Sequence, residues 1–236
     1  MHADTKTEVT KESGEKTSKG ASVKAFMKSS EYGNVVYRDT ISDETNGTDI
    51  TWTVYDSGKL VIDGTGVTPD WSPWFYYKED ITDVIIGDGI TALGERNFMN
   101  YPELKTVTVQ GNLSKIGNSA FEGCKKLKNI TVEGATNGAG LKVLMLGQCA
   151  FKDCTGLENA EFTGNFVTYK NAFEGCKNIR TITLNNSFGK KINFCNKSFR
   201  LGNKKKCRVS IISSKKLKKD TVKKLKKAGL KKFTTN

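Results

Sequence analysis

One pattern returns along most of the chain and leaves it few folds to choose from: Phe-x-x-Cys-x-x-Leu-x-x-Ile-x-Val. It reads Phe121, Cys124, Leu127, Ile130, Val132, then Phe151, Cys154, Leu157, Ala160, Phe162, then Phe173, Cys176, Ile179, Ile182, Leu184. An earlier copy reads Phe98, Tyr101, Leu104, Val107, Val109, and a half-unit before it, Ile81, Val84, Ile86, keeps the strand but lacks the phenylalanine. A degenerate last copy starts at Phe199 and regains its strand at Val209 and Ile211. By subtraction of residue numbers, the five phenylalanines stand 23, 30, 22 and 26 residues apart. That period is one of stacked coils, with one longer unit. Such a solenoid buries a continuous core between neighbouring units.

Because a solenoid grows by stacking, the length of 236 residues constrains little. The net charge of +13 suggests a polyanion binder until it is placed. From Arg200 onward there are 15 Lys and Arg against Asp220 alone, leaving 23 basic and 24 acidic residues in 1–199. The body is neutral and the tail carries the charge. No apolar run reaches the roughly 18 residues of a membrane span, and the N-terminus lacks the apolar core of a signal peptide. If the chain is exported, its signal has been removed.

Residues 1–49 are rich in Lys, Glu, Ser, Thr and Gly, with apolar islands only at Val23–Met27 and Val35–Tyr37. Such a composition buries too little apolar surface to offset ordering entropy, so the stretch is expected to be a flexible arm or linker whose second island can pair with the domain edge. Order is expected from Ile50. There Trp52 and Val54 alternate on one strand face, Asp56-Ser57-Gly58 turns, and Lys59–Asp63 returns as a hairpin. Trp71, Trp74, Phe75, Tyr76 and Tyr77 follow, pinned by Pro69 and Pro73. They form either a carbohydrate-stacking platform or, as the need to cover an open solenoid end favours, a cap. The chain divides into this hairpin and aromatic cap (50–80), the repeats (81–212) and a basic helical cap (213–236).

Alternation within each repeat turns Leu104, Val107, Val109 and their equivalents inward on a short parallel strand, and the residues between them outward. Two outward columns result. One holds Asp83, Thr106, Asn129, Asn159, Thr181 and Arg208; the other holds Ile85, Thr108, Thr131, Glu161, Thr183 and Ser210. These mostly uncharged, hydrogen-bonding groups about 4.8 Å apart suit an extended ligand, although Thr also simply suits a solvated strand. Gly94 and Gly117 are expected to supply a tight bend with φ > 0, Ala120, Ala150 and Ala172 close packing, and the phenylalanines an internal spine.

Cys124, Cys154 and Cys176 share one repeat position and are expected as buried, unbridged thiols, their parallel Cβ vectors about a strand spacing apart. Cys195 and Cys207 lie outside that column, and a bridge between them is left open. No C-x-x-C pair exists and the one histidine is His2, so no metal or cofactor is expected. Without a usable histidine, a converging carboxylate pair or a phosphate-binding glycine loop, catalysis is not expected.

In the last segment Leu217, Thr221, Val222, Leu225 and Ala228 share one helical face, a serine caps the start and Gly229 the end. This amphipathic helix is expected to cover the last coil, with Lys215, Lys216, Lys219, Lys223, Lys226 and Lys227 outside. The same lysines are a candidate patch for anionic wall polymers, glycans or lipid headgroups. Nucleic acid is not expected, because Phe233 is the only aromatic residue there.

The unit Ile116-Gly117-Asn118-Ser119-Ala120-Phe121-Glu122-Gly123-Cys124 through Val132 resembles the BspA-like leucine-rich repeats of bacterial surface proteins. The lead-in Thr51–Val54, Gly64-Thr65-Gly66 and Asp70–Trp74 is similar to a segment preceding those repeats in gut Gram-positive bacteria, and the lysine-rich ending resembles their final capping unit. The likeness covers about Ile50 to Phe233, with departures at Tyr101, at the shortened Phe166–Tyr169 and after Phe199. It implies an α/β-type repeat solenoid: a right-handed leucine-rich-repeat coil with short parallel strands, a hairpin at one end and a helix at the other. It further implies an exported, non-catalytic surface module that binds host or bacterial surface proteins or glycans. The competing expectation is a passive spacer or accessory domain of a larger surface protein or enzyme.

Overall fold

The computed structural model of the protein describes residues 29–134, 143–185, 192–195, 197–202, 207–212 and 214–235. The Val23–Met27 island and His2 lie outside them. Where apolar and polar residues alternate, a strand forms: β4 (Asp83–Ile86), β6 (Thr106–Leu113), β8 (Asn129–Gly134), β10 (Asn159–Thr163), β12 (Thr181–Asn185) and β14 (Cys207–Ile212). They pair in parallel in that order, so that Val84, Val107, Ile130, Ala160, Ile182 and Val209 are successive neighbours across the ladder.

Each coil also makes a second strand, which the repeat pattern did not announce. The end of β3 (Lys59–Val67), β5 (Ile90–Leu93), β7 (Lys115–Ile116), β9 (Val143–Leu146), β11 (Asn165–Thr168) and β13 (Ile192–Phe194) form a second parallel ladder. Leu93, Ile116, Leu146 and Phe166 from it are buried in the same core as the first ladder's residues. Strand β3 serves both ladders, because Lys59–Ile62 pairs with β4 and Gly66–Val67 with β5.

Between the ladders runs the aromatic spine. Ring centroids of Phe98 and Phe121 are 5.1 Å apart, Phe121 and Phe151 5.2 Å, Phe151 and Phe173 5.2 Å, and Phe173 and Phe199 5.0 Å, with interplanar angles from 3° to 13°. Such offset stacks add about 0.5–1.5 kcal/mol each beyond area burial. Trp74 stacks on Phe98 at 5.9 Å, so the apparent half-unit at Ile81 is a full one with tryptophan in the phenylalanine's place. The cysteine column follows the same stacking. The Sγ atoms of Cys124, Cys154 and Cys176 donate to the carbonyls of Phe98 (2.9 Å), Phe121 (3.0 Å) and Phe151 (2.9 Å), each in the preceding coil. Burial pushes the Cys124 and Cys154 thiols well up, keeping them neutral. Cys195 is exposed, Cys207 is buried, and both are free thiols, so the bridge left open between them does not form.

Two expectations are corrected. Gly94 and Gly117 do not have positive φ; that conformation falls two residues later, at Arg96 (57°) and Ser119 (53°). The glycines are required by contact instead: a Cβ on Gly94 would stand 2.6 Å from the Pro69 carbonyl oxygen, and one on Gly117 2.4 Å from that of Gly94. The ordered body also begins before residue 50. A helical turn (Ser29–Tyr32) leads into β1 (Val35–Asp43), which pairs antiparallel with β2 (Thr48–Tyr55), itself hairpinned to β3. Composition misleads here because an edge strand needs only one partner, and β1 shows most of its side chains to solvent. Tyr37 packs on Trp52 at 5.0 Å and anchors it.

At the other end the helix Lys215–Lys227 starts from Ser214, whose hydroxyl accepts the Leu217 amide, and Gly229 follows it at φ 102°. Thr221, Leu225 and Ala228 are buried, and the Ala228 carbonyl accepts the Phe199 amide at 3.1 Å. The chain then forms β15 (Phe233–Thr235) parallel to β14. The basic cap is thus built as a last partial coil.

Candidate functional site: the outward face of the first ladder

The two outward columns expected from alternation lie in register. Asp83, Thr106, Asn129, Asn159, Thr181 and Arg208 are successive partners, as are Ile85, Thr108, Thr131, Glu161, Thr183 and Ser210. All are half-buried or exposed, while Val107, Val109 and their equivalents are buried. Side chains of the first column also bond to one another at three of its steps. Thr106 donates its hydroxyl to Asp83, Thr181 to Asn159, and Asn159 Nδ2 to Asn129 Oδ1 at 2.8 Å. These contacts hold the side chains in one orientation and use part of their capacity. Each amide has two donors and each carbonyl two lone pairs, so donors and acceptors remain along the strip.

A charged rim beside this strip went unnoticed in the sequence. Lys128 N donates to Lys105 O at 2.8 Å, Glu158 N to Lys128 O at 2.9 Å, and Arg180 N to Glu158 O at 2.8 Å, which aligns Lys105, Lys128, Glu158 and Arg180 immediately before the first column. An open groove there is lined by Lys105, Lys125, Lys126, Lys128, Glu158 and Asn178. Lys126 is paired with Glu103 at 2.5 Å and Arg180 with Glu158 at 3.5 Å. The signal available was the residue preceding each outward column, but one-per-unit lysines read as ordinary solvated surface. A third outward position, Thr163, Asn185 and Ile212, continues the strip beyond two columns, and Ile212 is exposed.

At the far end, Lys215, Lys216, Lys219, Lys223, Lys226 and Lys227 are exposed along the terminal helix. Lys226, Lys231, Lys232 and Phe233 line a shallow groove between that helix and β15. Among the described residues, no three or more His, Cys, Asp or Glu side chains gather as a metal site would need, and no helix is long and apolar enough to cross a membrane.

Residues 72–200 and 139–219 match the model of the BspA type leucine rich repeat region, in six copies. Among solved structures, a leucine-rich repeat protein from Eubacterium ventriosum is 22% identical over 63% of this chain and 44% of its own, with a TM-score of 0.43. A leucine rich cell surface protein from Faecalibacterium prausnitzii is 14% identical over 75% of this chain and 73% of its own, with a TM-score of 0.28. The chain therefore spans less than half the length of the Eubacterium protein. No curated protein matches it.

Proposed function

This chain belongs to the BspA type leucine-rich-repeat family, and from that premise we propose that it is a non-catalytic interaction module of a bacterial cell surface, binding an extended protein or glycan along the outward face of its first ladder. The observation that carries this is the in-register strip from Asp83 to Arg208, flanked by Thr108, Thr131, Glu161, Thr183 and Ser210. Repeat families of this kind are interaction scaffolds, and a ladder of identical spacing offers an extended partner the same hydrogen bond at each coil. The test is a screen of immobilised surface proteins and glycans with the full chain, followed by the variant carrying Thr108→Lys, Thr131→Lys and Thr183→Lys. Binding to any hit should collapse in the variant. An unaltered titration assigns the strip to scaffold and favours a spacer or accessory domain.

The exposed lysine row of the terminal helix supports a second contact, with an anionic wall polymer. Its binding should fall steeply between low and moderate salt and vanish when Lys219, Lys223, Lys226 and Lys227 become Gln. Salt-independent binding excludes it.

A further inference from the structure

The aromatic stretch 71–77 divides in two. Trp74 and Tyr77 stand three residues apart on the 3-10 turn Pro73–Tyr77, hence on one face. They turn inward, Trp74 onto Phe98 and Tyr77 to 6.1 Å from Trp52. Trp71 does the opposite: it is 55% exposed, against 2% for Trp52 and 0% for Trp74. Covering the end of the coil does not use it.

Its backbone is also unusual. Trp71 has φ 53°, in the left-handed region that a bulky side chain rarely adopts. Arg96, Ser119, Cys149, Asn171 and Lys197 have it too. The amide of Trp71 donates to Glu95 O, that of Arg96 to Asn118 O, and that of Ser119 to Gln148 O, so one such residue per coil is stacked on the next. Coil geometry imposes the conformation, and a glycine would meet it with less strain. Nothing in the packing asks for tryptophan there.

The segment is held rigid nonetheless. Thr68 and Asn97 are each 1% exposed, and the Thr68 hydroxyl donates to Asn97 Oδ1. The Gly94 amide donates to Thr68 Oγ1 at 2.9 Å and Asn97 Nδ2 to Pro69 O at 2.7 Å. A strained, solvent-facing aromatic fixed by a buried polar network is the arrangement of a preorganised contact.

Polar groups gather around it. The Arg96 guanidinium lies over the indole at 5.3 Å from the ring centroid and 3.9 Å from the Glu95 carboxylate. Glu95 Oε1 accepts from Asn118 Nδ2 at 2.7 Å, and Asp70 Oδ1 accepts the Glu95 amide at 2.5 Å. The guanidinium takes one face of the indole, and the ring's remaining exposed surface, with the carboxylates of Asp70 and Glu95 and the carboxamide of Asn118 on the flanking turns, suits a ligand with an apolar face and a hydroxyl rim. A pyranose has both: C–H bonds on its face and vicinal hydroxyls at its edge, which carboxylates accept from and amides bond either way. An apolar protein surface fits poorly, since it would bury these charges unpaired.

We propose that Trp71, with Asp70, Glu95, Arg96 and Asn118, forms a binding site for a neutral hexopyranose chain, one sugar ring stacking on the exposed indole. The site follows the second ladder in the first coil, off the outward columns of the first ladder, and does not depend on the sheet-face proposal. The expected class is an all-equatorial β-1,4-linked chain, which presents the broadest C–H face.

The experiment is isothermal titration calorimetry of the full chain with cellohexaose. Saturable binding is expected, weakened at least tenfold in Trp71→Ala at an unchanged thermal midpoint, partly retained in Trp71→Phe and reduced in Glu95→Gln. The variant carrying Lys at 108, 131 and 183 should bind as the parent does, which separates this site from the sheet face. No saturable binding by the parent overturns the proposal. So does binding that survives Trp71→Ala, or loss in the sheet-face variant alone.

Discussion

The two ladders pass through the same coils and share one core, yet their outer faces differ. The first shows a continuous strip of Asn, Thr and Asp; the second shows Lys115, Met145, Val167 and Asn193 in register, with no common chemistry. Spacing explains it. From Phe98, Phe121, Phe151 and Phe173 the first-ladder strand follows nine residues on (98 to 107, 121 to 130, 151 to 160, 173 to 182), and from Phe199 ten (199 to 209). Each second-ladder strand in turn ends five residues before the next phenylalanine (116 to 121, 146 to 151, 168 to 173, 194 to 199). All variation in unit length therefore falls between the ladders, where 109 to 116 is 7 residues, 132 to 146 is 14, 162 to 168 is 6 and 184 to 194 is 10. Each first-ladder strand is entered through a segment of nearly constant length, and each second-ladder strand through the segment whose length varies. The first ladder is thus the surface on which one repeated contact is possible.

The spine belongs to both ladders, so breaking it should have the largest effect. Phe121→Ala is expected to cost about 3–5 kcal/mol in denaturant unfolding, for a buried ring stacked on both sides. A loss below about 1 kcal/mol would mean the coils do not share a spine. Next, Leu144→Ala tests whether the second ladder is core in its own right. With Leu144 1% exposed, about 2–5 kcal/mol is expected from the same measurement.

Thiol chemistry sharpens the contrast at intermediate cost. At pH 8, alkylation followed by peptide mapping should label exposed Cys195, just past the second ladder, and spare Cys124, Cys154 and Cys176 beside the spine. Burial raises the Cys124 and Cys154 thiols above the ordinary 9.0 and lifts Cys207 to about 11. Folding holds these groups protonated. Their contribution is intact below pH 9 and is lost as pH rises, because the unfolded thiols ionise first. The thermal midpoint should accordingly fall between pH 9 and 11, and less so in Cys207→Ala.

The smallest effects separate the outer faces. Asn159→Ala removes the partner of both Asn129 and Thr181 and should cost about 0.5–1.5 kcal/mol. Met145→Ser on the second ladder should stay within about 0.5 kcal/mol. Equal values for the two would show that the bonded strip adds nothing to the first ladder.

Much of this was legible from residue order. The inward and outward sets of the first ladder followed from alternation because its lead from phenylalanine is nearly constant. The second ladder was not legible: its strands are two to four residues long and stand at variable distance from the first-ladder strand before them, and such short apolar pairs carry no period. Trp74 escaped for a related reason. It sits ten residues before Val84, one more than in the units of Phe98, Phe121, Phe151 and Phe173, and only stacking on Phe98 reveals its equivalence. In the candidate sites, the Lys105–Lys128 rim and the Trp71 surround were hidden because their members come from different coils.

By itself, then, the sequence determined the stacked architecture, the phenylalanine spine, the buried cysteine column and the residues of the outward strip, since each depends on a periodicity that one chain can display. Tertiary structure alone decided that β1 runs beyond the Val35–Tyr37 island to Asp43, that Gly94 is required by the backbone of the preceding coil, and that Trp71 faces solvent while Trp74 does not. These are contacts between residues about 5 to 25 positions apart, and no local pattern of a single unit contains the neighbour against which it is packed.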